Sequence, residues 1–130
     1  MNKLLAVLIF FSLFACDKRK ETNIERIVVY SVNLDIDTSA DVNCKDFELT
    51  FGDVIKVRII KDKSVLNELD TLLKRINKND QNNSIDVRKK ILIFHKDNII
   101  DTLCVGRFSV VFNNQVIEKN EDLLEYALDL

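Results

Sequence analysis

Residues 86–95 read DVRKKILIFH, and this segment indicates how the sheet is arranged. From Ile91 to Phe94 four apolar residues follow one another without the polar alternation of a half-exposed strand. An unbroken apolar run of this length is typical of a strand that is buried on both faces. We therefore expect residues 86–95 to form a central strand of a sheet. The basic residues 88–90 should be the solvated end of that strand.

Three shorter patterns before this stretch also favour strands. Residues 28–36 are apolar at every even position and mostly polar at the odd ones. That is the period of a strand with one buried and one wet face. Residues 47–51 and 55–59 alternate in the same way, and Gly52-Asp53 between them offers a two-residue turn. These two segments are therefore predicted to form a β-hairpin.

Two segments instead carry the period of amphipathic helices. Apolar residues recur at helical spacing between residues 62 and 78, and either Asp62 or Ser64 can cap the start. Residues 120–129 form a narrower apolar stripe that Asn120 can cap. We expect one long helix over 62–78 and a short C-terminal helix over 120–129.

The remaining apolar segments predict further strands over 99–106, 108–112 and 115–118. The chain has two glycines and no proline, so its turns depend on Asn and Asp, which tolerate left-handed backbone angles. Asn113-Asn114 suits a type I′ turn. The predicted order is βββαβββα, which is typical of an α+β fold. We expect a single domain over 24–130, with the long helix packed on a mostly antiparallel sheet of about five to six strands.

A different pattern occupies the N-terminus. Residues 4–15 contain one polar residue, Ser12, and follow a positively charged Lys3. This is the plan of a signal peptide, and it is too short for a membrane-spanning helix of about 20 residues. The run ends in LFAC at residues 13–16 and changes at once into a charged segment. This sequence resembles the lipobox of bacterial lipoproteins.

The resemblance implies that residues 1–15 are a signal peptide and that the thiol of Cys16 is acylated. Two or three acyl chains hold a protein firmly at a membrane without a transmembrane helix. Residues 16–23 would then be a lipidated polar tether, and the domain would face the periplasm or the cell surface. The alternatives are a plain signal peptide cleaved near Ala15, which would leave Cys16 as a free thiol, and an N-terminal segment of the core.

The charge of the chain is mixed and slightly acidic. Nineteen basic side chains stand against 21 acidic ones, for a formal net charge of −2 at pH 7. Nucleic-acid binding requires concentrated positive charge, so no nucleic-acid partner is expected. A polybasic patch as a second membrane signal is disfavoured for the same reason.

Once Cys16 is assigned to lipid, Cys44 and Cys104 remain. An exported protein meets an oxidising environment, in which such a pair readily forms a disulfide. The alternative leaves both thiols as small buried hydrophobic groups. This alternative suits Cys104 especially, because it lies in an apolar predicted strand.

The segment DIDTSADVNCKD, residues 35–46, has the spacing of a calcium-binding loop. Oxygen-bearing side chains occupy positions 1, 3, 5, 7, 9 and 12 of an EF-hand-type loop. Ala40 stands where the sharp turn needs glycine, and the alternative is a strand face followed by an Asx-rich loop. A calcium-dependent binding module is therefore an alternative function. Its ligands would be Asp35, Asp37, Ser39, Asp41, Asn43 and Asp46.

His95 is the only histidine, and it raises a second alternative, a small hydrolase. The nucleophile would be Cys104 or Ser109. The sequence contains no glycine-rich elbow and no oxyanion loop, so we expect a domain without catalytic residues.

No family resemblance is found for residues 22–130. We expect a lipid-anchored, non-enzymatic domain without a cofactor that binds another protein or an envelope component. An accessory role or an inhibitor or immunity-like role would fit such a domain. The sheet edges and the wet face carrying Ser31, Asn33 and Asp35 are the expected contact surfaces.

Overall fold

The computed structural model describes residues 21–79 and 84–130. Within them the chain forms six strands, three α-helices and one 3₁₀ turn. In chain order the elements are β1 (Ile24–Ser31), α1 (Phe47–Phe51), the 3₁₀ turn (Gly52–Val54), β2 (Lys56–Ile60), α2 (Lys63–Leu73), β3 (Val87–His95), β4 (Ile100–Gly106), β5 (Val110–Phe112), β6 (Gln115–Val116) and α3 (Glu121–Asp129).

The six strands form one sheet in the order β2-β1-β3-β4-β5-β6, and every neighbouring pair is antiparallel. The predicted α+β class with a mostly antiparallel sheet is confirmed. β3 lies between β1 and β4, and its Ile91 and Ile93 are fully buried. The central place predicted for this strand is therefore confirmed as well.

The helices α2 and α3 pack together on one face of the sheet, which we call the covered face. Leu69 of α2 and Leu123 of α3 are fully buried against the alternate strand residues of this face. The two helices also contact each other, because the Tyr126 hydroxyl donates a hydrogen bond to the Val65 carbonyl oxygen at 2.9 Å. This face holds the larger of the two core clusters.

The opposite face is covered only in part, by α1 and the loop that precedes it. Phe47 and Phe51 pack edge to face with ring centroids 5.2 Å apart. They bury Val87, Cys104 and Val111, which lie towards one end of the sheet. The other end of this face has no described helix over it.

Side-chain caps begin both longer helices. The Asp62 carboxylate accepts the backbone N–H groups of Ser64 at 2.9 Å and Val65 at 3.1 Å. Asn120 accepts the backbone N–H of Leu123 at 3.0 Å. Each cap satisfies donors that the first helical turn leaves unpaired, so the helix begins at the residue that follows. Of the two predicted caps for α2, Asp62 is confirmed.

Asparagines make the tight turns, as their number in a proline-free chain predicts. Asn98, Asn113 and Asn114 have φ values of 65°, 48° and 63°. Two consecutive residues with positive φ are the signature of a type I′ turn, so the prediction for the hairpin that joins β5 to β6 is confirmed.

The predicted hairpin over residues 47–59 is wrong, because residues 47–51 form the helix α1 and not a strand. Phe47 and Phe51 are buried, whereas Leu49 between them is 87% exposed. Residues i and i+4 share one face in a helix as well as in a strand, and only residue i+2 distinguishes the two. Gly52 then follows α1 with a φ of 48°, a left-handed conformation that favours glycine.

The predicted long helix over 62–78 is also wrong at its end, because α2 spans Lys63–Leu73. Beyond it the chain runs beside β6, where the Asn79 backbone N–H donates to the carbonyl oxygen of Val116 at 2.9 Å. Ile76 keeps the apolar spacing of the helix but packs against the core from this extended segment. Tertiary pairing therefore overrides the helical period, and the predicted element order is corrected to βαβαββββα.

β1 ends at Ser31, earlier than predicted, and it has no wet face. Ile27 on one side is fully buried and Val28 on the other is 9% exposed. The Asn33 side chain accepts the backbone N–H of Asp35 at 3.0 Å. Such an Asx turn redirects the chain and ends the strand.

Candidate functional site

The part of the sheet that α1 leaves uncovered is the candidate functional site, and we call it the open face. It lies opposite α2 and α3, and the strand register sets its side chains in rows. Val28 lies between Ile59 and Leu92 in one row. Phe94 lies beside Ile100 in the next row. The apolar members of the open face are Val28, Val57, Ile59, Leu92, Phe94 and Ile100.

Three of these side chains are largely exposed to solvent. Val57 is 58% exposed, Ile59 is 60% exposed and Ile100 is 54% exposed. Leu92 and Phe94 between them are half-buried. Single exposed apolar residues are common on protein surfaces, but a continuous apolar patch is typical of an interaction site.

Charged groups border this patch. The Arg26 guanidinium lies over the Phe94 ring, 4.1 Å from its centroid, in a cation–π contact. On the side of α1, the ammonium of Lys90 pairs with Glu48 Oε1 at 2.7 Å. An apolar centre with a polar rim is the usual anatomy of a protein-binding surface.

The strand β2 forms an edge of the sheet along one margin of the open face. The register places Val57 and Ile59 on the open side, opposite Tyr30 and Val28 of β1. Because side chains alternate along a strand, Lys56 and Arg58 lie on the other side. Neither cation has a carboxylate within ion-pair distance among the residues that the structure describes.

This geometry changes the contact surface that the sequence predicts. The wet face expected to carry Ser31, Asn33 and Asp35 does not exist, because β1 is an inner strand and the last two residues lie in the turn after it. Sheet edges are the other contact surface expected from the sequence, and β2 is such an edge. The open face is not predicted by the sequence, because the apolar side chains of its strands are expected to lie in the core.

Cys44 and Cys104 form a disulfide, with Cα atoms 5.8 Å apart, as one of the two sequence interpretations predicts. Cys104 is fully buried under α1, and Cys44 belongs to the loop that leads into this helix. A closed loop of 60 residues contributes about 4 kcal/mol through the unfolded state. The bridge therefore holds α1 at the border of the open face.

Three of the predicted calcium ligands, Asp41, Asn43 and Asp46, take part in side-chain hydrogen bonds. Asp41 accepts the Ser84 hydroxyl at 2.8 Å, and Asp46 accepts the Asn43 amide at 2.5 Å. In the described part of the chain, no three His, Cys, Asp or Glu side chains are placed to hold a metal ion. Asp35, Asp37 and Ser39 lie in the same loop between β1 and α1.

His95 pairs with a carboxylate, but neither predicted nucleophile lies beside it. His95 Nε2 is 2.8 Å from Asp101 Oδ2 across β3 and β4. Cys104 is bonded to Cys44 in the disulfide and therefore has no free thiol. Ser109 follows β4 at the opposite end of the sheet, and β3 between the two ends is about 26 Å long at the usual rise of a strand. This arrangement does not assemble the predicted hydrolase site.

Arg88 and Lys89 are buried, which corrects the predicted solvated strand end. Arg88 is 2% exposed, and its guanidinium donates to Asp86 at 2.7 Å and to the Thr38 hydroxyl at 3.1 Å. Asp86 also accepts the backbone N–H of Val42 at 3.0 Å. The arginine therefore ties the long loop before α1 to β3, a contact between distant residues that no local pattern reveals.

Lys89 points to the covered face instead. Its ammonium donates to the carbonyl oxygens of Ala127 at 3.0 Å and Leu128 at 2.5 Å, which belong to the last turn of α3. Burial lowers the pKa of Lys89, and the positive charge of Arg58 lowers it further, whereas Asp129 raises it. A cation at this place suits the negative end of the helix dipole.

Cys16 and the remainder of the predicted signal peptide lie outside the described residues, so lipidation stays a prediction. Within the described ranges, no helix is both long and apolar enough to cross a membrane. No protein-family model, no curated protein and no solved structure matches this chain. The N-terminal sequence and the open face are therefore the two features of this chain that bear on its function.

Proposed function

We propose that this protein is anchored to a bacterial envelope membrane by lipid on Cys16 and binds a protein partner through the open face. The LFAC sequence at residues 13–16 supports the anchor, because it resembles a lipobox. The Cys44–Cys104 disulfide is consistent with the oxidising side of that membrane, where structural disulfides persist.

The observation that carries the binding function is the exposure of Val57, Ile59 and Ile100 on one continuous sheet face. Leaving β-branched side chains in water forgoes about 25 cal/mol per Å² of apolar surface that a partner would bury. On the covered face, by contrast, Ile27 of β1 and Ile91 of β3 are fully buried beneath the helices. Incomplete coverage at one end therefore favours a surface that is completed by another protein.

The role that fits this surface is that of an accessory subunit or of an inhibitor or immunity-like protein. Such roles require a rigid, tethered binding surface and no reaction of their own. The site is a flat strand surface, whereas small-molecule sites are usually concave. A macromolecular partner suits a flat surface of this kind better.

The anchor is tested by mass spectrometry of the natural protein. We expect loss of residues 1–15 and acylation of Cys16, with Cys16→Ser abolishing both and releasing the protein from membranes. An unmodified Cys16 thiol or a retained leader would refute the anchor.

Binding is tested by crosslinked capture from solubilised envelopes with matched charge insertions. We expect Ile59→Asp and Ile100→Asp to lose a protein that the wild type retains. Phe108→Asp is the control, because Phe108 is 84% exposed but lies outside the open face. Equal capture by all variants would contradict the proposed surface, and so would equal loss by the control.

A further inference from the structure

β2 leaves one side of its backbone without a strand partner among the described residues. It is an outer strand of the sheet order, and β1 is its sole strand neighbour within residues 21–79 and 84–130. An edge of this kind presents a row of N–H and C=O groups that a further strand can pair with. Natural edges are often protected by proline, by a bulge, by a covering segment or by charged side chains, especially lysine. β2 contains no proline, and its pairing with β1 is regular from Lys56 to Ile60, so its described protection against a further strand is the charge of Lys56 and Arg58.

The side chains of β2 define what a further strand would have to carry. On the open side, Val57 and Ile59 would lie beside its apolar residues. On the other side, Lys56 and Arg58 would lie beside the remaining residues of the added strand, which alternate with its apolar ones. Neighbouring residues on adjacent strands share one face of the sheet. The added strand must therefore alternate between residues that suit Val57 and Ile59 and residues that suit Lys56 and Arg58.

Charge then selects among the possible occupants. A second copy that paired through β2 would bring the Lys56 and Arg58 side chains of the two strands together, and like charges across a strand pair are unfavourable. The charged segment that follows Cys16, DKRK at residues 17–20, is mainly basic and is disfavoured for the same reason. Acidic side chains from another protein would neutralise two cations that have no described ion-pair partner.

We propose that β2 captures an extended segment of the partner protein in which acidic and apolar residues alternate. The segment adds a seventh strand to the sheet by main-chain hydrogen bonds, which is a known mode of peptide recognition. Its apolar residues extend the open face, and its carboxylates pair with Lys56 and Arg58. This inference rests on the proposed protein-binding function and names the chemistry of the partner.

The probes are two short synthetic peptides of equal length, one alternating glutamate with valine and the other alternating lysine with valine. They are titrated into the isotope-labelled full-length protein, and amide shifts and hydrogen exchange are measured. We expect the glutamate peptide to shift and protect the amides of residues 56–60. The lysine peptide should bind at least about tenfold more weakly, because opposite charges attract across strands and like charges repel.

The matched variant is Lys56→Glu/Arg58→Glu, which alters two exposed side chains and leaves Val57 and Ile59 in place. We expect it to reverse the preference between the two peptides. If that variant does not fold, a salt titration of the wild type replaces it, since added salt should weaken the glutamate peptide selectively.

Several outcomes would overturn strand addition. These are no response to millimolar glutamate peptide, equal responses to both peptides, and shifts on the open face without protection of residues 56–60. Concentration-dependent pairing of the protein with itself through β2 would also overturn it. If envelope capture still depends on Ile59 and Ile100 in such a case, protein binding stands and only the edge mechanism fails.

Discussion

The two faces of the sheet are built from the same strands but are covered differently. Under α2 and α3, Ile27, Ile91 and Leu103 are fully buried. On the opposite side, α1 and its loop cover only the end near Val87, and Ile59 at the other end is 60% exposed. The covered face is explained by the stability of the fold, because burial of apolar surface is what stabilises the folded chain.

The open face needs a different explanation. Its residues would stabilise the domain more if α1 extended across them, but α1 is five residues long and is followed by Gly52. The disulfide and the Arg88 hydrogen bonds hold this short helix and its loop in place. These local constraints therefore act at one end of the face, and the other end is the surface that we propose for a partner. The following experiments test this division between a constrained end and an uncovered end of the face.

The largest expected effect is that of removing the disulfide. We expect Cys44→Ala/Cys104→Ala to lower the free energy of unfolding by about 4 kcal/mol, because the unfolded chain regains the freedom of a long closed loop. Denaturant unfolding measures the loss. Hydrogen exchange should show that protection falls first in α1 and the loop before it, with α2 and α3 less affected. Uniform loss over both faces would break the proposed division.

The next effect concerns α1 itself. We expect Phe47→Ala to destabilise the fold by about 3–4 kcal/mol, because it empties a fully buried site. Leu49→Ala is the matched control and should change stability by less than about 0.5 kcal/mol, since this side chain is in solvent. Comparable losses at the two positions would mean that residues 47–51 are not helical.

The same comparison applies across the sheet. We expect Leu69→Ala on the covered face to cost about 3 kcal/mol in the free energy of unfolding. Ile59→Ala on the open face should cost less than about 1 kcal/mol, because most of its surface is already exposed. If Ile59→Ala proved as costly as Leu69→Ala, a segment of the chain would have to cover the open face.

Much of the fold was predictable because local signals agreed with the tertiary structure. The unbroken apolar run over 91–94 favours a central strand, which β3 is, and the Asn113-Asn114 pair suits one kind of turn. The disulfide was one of two open interpretations, because sequence shows the number of cysteines but not the distance between them.

The sequence-based predictions are wrong at positions where contacts between distant residues determine the secondary structure or the burial. The spacing of Phe47 and Phe51 fits a helix as well as a strand, and the exposure of Leu49 cannot be read from its identity. Arg88 is buried, and Asp86 and the distant Thr38 accept hydrogen bonds from its two terminal guanidinium nitrogens. The open face could not be predicted for a related reason, since coverage is a property of how far α1 reaches and not of the strands beneath it.

The smallest expected effect is a pH dependence at the contact between α2 and α3. Burial, with the negative charges of Glu68 and Asp62, raises the pKa of Tyr126 to about 12, against about 10 in an unfolded chain. The folded protein therefore holds this proton more tightly, and the stabilisation is complete below pH 10 and lost as the pH rises towards 12.

After allowance for solvent screening, the loss should be about 1 kcal/mol in the free energy of unfolding. Denaturant unfolding of the wild type and Tyr126→Phe at several pH values between 9 and 12 measures it, together with the phenolate absorbance of the folded protein. The wild type should lose this stability and Tyr126→Phe should not, with Tyr30→Phe as the control that retains the loss. Parallel curves for all three proteins would show that the phenol of Tyr126 is not shielded by the covered face, and the contrast between the two faces would then be smaller than the geometry indicates.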